Sequence, residues 1–89
     1  MDTKQWNLRI GIREDGDRTY AEASLTGPGH AAVVGVGRAL LQPGDRGVPE
    51  IGDRIAVARA LADLSERLLM AASAEIAVVN DRTTAPITP

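Results

Sequence analysis

Residues Trp6 to Leu25, "WNLRIGIREDGDRTYAEASL", constrain the fold more than any other part of the chain. Trp6-Asn7-Leu8-Arg9-Ile10-Gly11-Ile12-Arg13 alternates apolar and polar residues, the period of a strand with one face on a core. Asp15-Gly16 follows, a dipeptide suited to the positive φ angles of a tight hairpin turn. With Asp15 and Gly16 as a two-residue turn, Trp6 opposes Leu25, Leu8 opposes Ala23, Ile10 opposes Ala21 and Ile12 opposes Thr19. One face is then apolar except at the turn end. On the other face Arg9 opposes Glu22, Tyr20 lies over Gly11, and Arg13 faces Arg18 at a small electrostatic cost.

A hairpin cannot bury its apolar face alone, so the remaining chain has to cover it. His30 to Leu41, "HAAVVGVGRALL", reads as a third strand. It places Gly35, Gly37 and Ala39 on one face and Val34, Val36, Arg38 and Leu40 on the other. Either face can be the buried one. Glycines turned toward a helix let it approach closely, but they leave Val34, Val36 and Leu40 on the open side of the sheet.

Gln42 to Gly52 holds two Pro and three Gly and reads as a loop, turning near Pro43-Gly44. Asp53 suits a helix N-cap, while Pro49 suits a first helical turn that starts earlier. Beyond it Val57, Leu61, Leu64, Leu68 and Ala72, with Ala58 and Ile76 alongside, repeat at helical spacing. Arg59, Asp63, Glu66, Met70 and Ser73 line the opposite face. The helix is expected to end at Asn80, leaving residues 1–80 as one domain and Asp81 to Pro89 as a disordered tail. The expected class is α+β: a three-stranded antiparallel sheet in β-β-β-α order, with one long C-terminal helix across one face.

Composition narrows what such a domain does. With 89 residues there is room for one core, and the apolar 44% comes mainly from Ala, Val, Leu and Ile, with one Trp, one Tyr and no Phe. No cysteine is present, which removes disulfides and thiolate metal sites and fits a reducing compartment. The N-terminus carries no apolar targeting segment and no run is long enough to span a membrane, so a soluble cytoplasmic protein is expected. The formal net charge of −2 disfavours long-range steering to phosphate.

Val36 to Leu69, together with Trp6 to Ile12 and the Tyr20-Ala21-Glu22-Ala23 strand, resembles a family of small actinobacterial proteins of unknown function, described as having a double-stranded-RNA-binding-domain-like fold. The resemblance covers about residues 5 to 80. Its most specific part is Pro49-Glu50-Ile51-Gly52-Asp53 leading into Ala56 to Leu61. It implies a fold and brings no activity, cofactor or catalytic residues with it.

Nucleic-acid binding is the second function such a fold raises. In double-stranded-RNA-binding domains a Gly-Pro-x-His loop joins the first two strands, and a lysine cluster at the last helix holds phosphates. Gly27-Pro28-Gly29-His30 instead lies between the second and third strands, and Arg54 and Arg59 at the helix start are diluted by Glu50 and Asp53. Arg9, Arg13 and Arg18 on the sheet, with Arg54 and Arg59, are the candidate contacts for this second reading.

Catalysis has little to work with: one histidine in a glycine turn, and carboxylates on a turn and a solvated helix face. The leading expectation is a non-enzymatic interaction domain without metal or cofactor. It self-associates, or takes a protein partner, through the open sheet face or an edge strand, with Tyr20, Val34, Val36, Arg38 and Leu40 as candidate interface residues.

Overall fold

The computed structural model describes residues 1–45 and 47–84. Strands β1 (Asn7–Asp15), β2 (Arg18–Thr26) and β3 (Val33–Leu40) form one antiparallel sheet in the order β1-β2-β3. A 3-10 turn (Pro43–Asp45) leads to helix α1 (Pro49–Thr84). This is the expected α+β class and element order. Among the described residues no helix is long and apolar enough to cross a membrane.

The hairpin forms with a register two residues away from the expected one. Asp15 pairs with Arg18, so the turn is Gly16-Asp17, and Gly16 takes φ 64. Among the described residues no non-glycine has positive φ, so only the first central position is left-handed, which is the requirement of a II′ turn. Leu8 therefore faces Leu25, Ile10 faces Ala23 and Ile12 faces Ala21. A shift of two residues keeps every side chain on its expected face. It also replaces the Arg13 and Arg18 opposition with Asp15 opposite Arg18, and it sets Tyr20 against Arg13 instead of Gly11.

The second connection is a tight turn. The His30 N–H donates to the Gly27 carbonyl at 3.3 Å, and Gly29 has φ 73 after Pro28, the residue order of a type II turn. Two residues pass before β3 begins at Val33, later than the His30 start expected.

β3 turns its glycines inward. A Cβ on Gly35 would overlap the Ala60 carbonyl oxygen and lie 2.7 Å from Leu64 Cα, and one on Gly37 would overlap the Ala56 carbonyl. The helix backbone thus rests directly on the strand backbone. The buried core is accordingly small-residue packing: Ala21, Ala23, Ala39, Ala56, Ala60 and Leu64, flanked by Leu25, Val33, Val57 and Leu68. The helical stripe is rotated from the one expected. Ala56 and Ala60 are fully buried, whereas Leu61 stays 37% exposed and Ile76 59%. Trp6 also stands outside the core at 49% exposure.

α1 begins at Pro49, so Asp53 lies inside the helix and is not its N-cap. It runs on to Thr84, past the expected end at Asn80; Ala85 to Pro89 of the expected tail lie outside the described residues. Its 36 residues span about 54 Å against about 30 Å for a nine-residue strand. The helix therefore overhangs the sheet, and the radius of gyration is 18.7 Å where a compact chain of this length has about 12 Å.

Candidate functional site

The helix lies over β3 and β2 and barely reaches β1. Two side chains show why. Asp63 Oδ2 accepts the Val36 N–H at 2.8 Å, and Arg59 Nη1 donates to the Arg38 carbonyl at 2.7 Å. Both bonds go to backbone groups of β3, the edge strand, so α1 is tied along that edge and the groups it covers no longer invite another strand. Arg67 Nε braces the same carboxylate at 3.0 Å. The Val36 N–H, then the Arg67 side chain, hold the Asp63 carboxyl below its ordinary pKa.

The opposite edge is left bare. Leu8, Ile10 and Ile12 alternate onto the helix side of the sheet through their pairing with Leu25, Ala23 and Ala21, yet they remain 49%, 38% and 47% exposed. Every residue of β1 is exposed. Val57, Leu61 and Leu68 lie on the flank of α1 turned away from Arg59 and Asp63. The result is an apolar trough between β1 and the helix. At its turn end Glu14 faces Asp53 and Glu50. A side-chain hydrogen bond with Asp53, then the Asp53 charge, partial burial and the Glu50 charge, raise the Glu14 carboxyl above its ordinary pKa. Asp53 Oδ1 is buried with no hydrogen-bond donor among the described residues.

The other face of the sheet carries most of the residues singled out from the sequence. Tyr20, Val34, Val36, Arg38 and Leu40 all point away from the helix, with Val36 at 44% and Leu40 at 57% exposure. The pairing Tyr20 with Arg38 and Arg18 with Leu40 brings them side by side. Arg9 and Arg13 join this face from β1. The Arg13 and Arg38 guanidinium carbons stand 5.5 and 5.9 Å from the Tyr20 ring centroid, within cation-π range. Arg59 reaches the group around the β3 edge, and Arg54 does not: it is exposed on α1 and lines neither of the hollows that flank Tyr20.

Trp6 and His30 meet at the end of the sheet, ring centroids 6.0 Å apart, with the indole packed against Gly27, where a Cβ would lie 3.1 Å from it. The one histidine thus serves the turn. Among the described residues no group of His, Cys, Asp or Glu side chains is placed to hold a metal ion.

The bare β1 edge, and the use of Asp63 and Arg59 to cover β3, were not visible in the sequence. Period-two patterning assigned Leu8, Ile10 and Ile12 to the core face, and only the position of the helix decides that this part of the face stays open. A Gly-rich third strand was the available signal, since it marks where the helix backbone can come closest.

Fold and surfaces together define a small α+β sheet-and-helix domain with one covered edge and one open edge. Residues 4–85 match the Rv2632c-like family, and the chain belongs to that family. It is 45% identical over 76 residues to the uncharacterized protein Mb1767 of Mycobacterium bovis, a match covering 85% of this chain and 80% of that one. The uncharacterized protein Rv2632c of Mycobacterium tuberculosis is 42% identical over 73 residues, covering 82% and 77%. The crystal structure of Rv2632c superposes with a TM-score of 0.80 at 39% identity, over 89% of this chain and 93% of that one. The actinobacterial resemblance and the architecture stand on these matches.

Proposed function

We propose that this chain is a non-enzymatic interaction domain that self-associates through β1. The observation that carries the proposal is the trough: Leu8, Ile10 and Ile12 sit on the core side of the sheet without a cover, on the one edge that α1 does not tie down. An apolar row beside an unpaired strand edge is the combination that soluble proteins otherwise avoid. A second copy fits it by symmetry. With a two-fold axis through Ile10, Leu8 of one copy opposes Ile12 of the other, Ile10 opposes Ile10, and on the outer face Arg9 meets Gly11 and Asn7 meets Arg13. No like charges are opposed. The small core supports the same reading, because six residues of which five are alanine leave much of the domain's apolar surface outside.

The open-face strip of Tyr20, Val34, Val36, Arg38 and Leu40 is the weaker candidate for self-association, since four arginines and Glu22 break it up. Duplex nucleic acid ranks behind both. Its cations, Arg9, Arg13, Arg18 and Arg38, share the face with Glu22, and of the two helix arginines only Arg59 reaches them while Arg54 stands apart.

Sedimentation equilibrium tests the proposal. The chain is expected to approach twice its monomer mass of 9.4 kDa as concentration rises. Ile10→Lys is expected to hold it at the monomer mass with its circular dichroism intact. A strict monomer at millimolar concentration would sink the reading.

A further inference from the structure

The hollow on the open face beside Tyr20 has a second use. It is lined by Arg18, Thr19, Tyr20, Arg38, Ala39, Leu40 and Arg59, with a volume of about 370 Å³, in the range of small-ligand sites. Its charged lining is therefore three guanidiniums from three different elements and no carboxylate. In a chain of net charge −2 such a grouping does not follow from composition.

Among the described residues none of these three cations closes an ion pair, the one ion pair there being Arg67 with Asp63. Among the same residues Arg18 opposes Asp15 across the strands without closing an ion pair, and the Arg38 guanidinium meets the Tyr20 ring. Arg59 spends Nη1 on the Arg38 carbonyl and keeps its other donors. Arg13 stands over the same ring from the far side, next to Glu22, in the adjoining hollow. Like charges held around one aromatic ring repel, and an anion seated among them removes that cost. Guanidinium forks match phosphate oxygens in pairs, and Leu40 and the rim of Tyr20 offer apolar contact to whatever carries the phosphate.

We infer that this hollow binds a small soluble phosphate monoester, with Arg18, Arg38 and Arg59 on the phosphate and Leu40 beside its organic part. A phosphate monoester carries close to two negative charges at neutral pH, which offsets most of the charge of the three cations. The site is independent of the β1 trough, which lies on the other face of the sheet.

Phenyl phosphate is the probe, titrated into the 15N-labelled full chain at fixed ionic strength, with phenol and sodium chloride as comparisons. Saturable shifts are expected at Thr19, Tyr20, Arg38, Ala39 and Leu40. Arg18→Gln and Arg38→Gln, both exposed changes, are each expected to weaken binding about tenfold or more, and Arg54→Gln to leave it unchanged. Three results would overturn the inference: no saturable shift up to about 10 mM, chloride producing the same shifts, or full binding in both glutamine variants. Displacement of phenyl phosphate by a duplex RNA with a steep salt dependence would also overturn it, transferring the surface to nucleic acid.

Discussion

Gly35 and Gly37 set the distance between helix and sheet, and they give the sharpest expectations for single residues. Gly35→Ala or Gly37→Ala drives a methyl group into helix backbone, which has no flexible end to give way. Each is expected to cost about 1–3 kcal/mol or more in urea denaturation. Gly11→Ala, with nothing within 4 Å of the new methyl group, is expected to fall within about 0.5 kcal/mol of the parent or above it. Glu14 makes a pH prediction. Its folded-state pKa is raised, so its contribution is favourable at acidic pH and is lost as pH rises through the raised value. Glu14→Gln, whose amide donates to Asp53 at any pH, is expected to be more stable than the parent at neutral pH. That advantage should shrink on acidification, as Glu14 takes up its own proton. A constant difference across the carboxylate range would remove the Glu14 and Asp53 interaction from this account.

At the scale of elements, α1 is held to one side by Asp63 and Arg59. Asp63→Asn weakens the acceptor for the Val36 N–H and removes the Arg67 ion pair. It is expected to lower stability at neutral pH and to speed amide exchange at Val36 more than at β2. Because the Asp63 pKa is lowered, its contribution is present above the ordinary carboxylate range and lost as pH falls through the folded value. The variant and parent should therefore converge in acid; a gap that widens there would contradict this reading. The elements themselves were legible from alternation, turn residues and helical spacing. The hairpin register was not, because Asp15-Gly16 and Gly16-Asp17 both make acceptable turns and differ by a two-residue slip that preserves both faces. The helix stripe was misplaced for another reason. Spacing arguments weight leucine and valine, whereas a strand carrying Gly35 and Gly37 selects Ala56 and Ala60, whose side chains are short enough for backbone to approach backbone. The sides of the third strand became readable only once that approach was seen. Val36, Arg38 and Leu40 then fall on the open face with Tyr20, where the sequence had left the choice between two faces.

For the whole molecule, an elongated 68 × 32 × 19 Å shape, a core of small residues and a half-covered sheet are the features the proposed self-association rests on. A second copy across β1 would extend the sheet and cover Leu8, Ile10 and Ile12, while Leu69, Met70, Ile76 and Val78 on the overhanging helix offer further apolar surface. The dispersal of this signal explains why it escaped a reading of the sequence. Leu8, Ile10 and Ile12 sit on the face their alternation predicts, and only the lateral position of the helix leaves them uncovered. Isotope-filtered NMR on a mixture of 13C-labelled and unlabelled chains tests the central claim most directly, since it sees only contacts between copies. Cross-chain contacts are expected from the methyl groups of Leu8, Ile10 and Ile12. Cross-chain contacts confined to Val36 and Leu40, or none in a sample that sediments as a dimer, would contradict it.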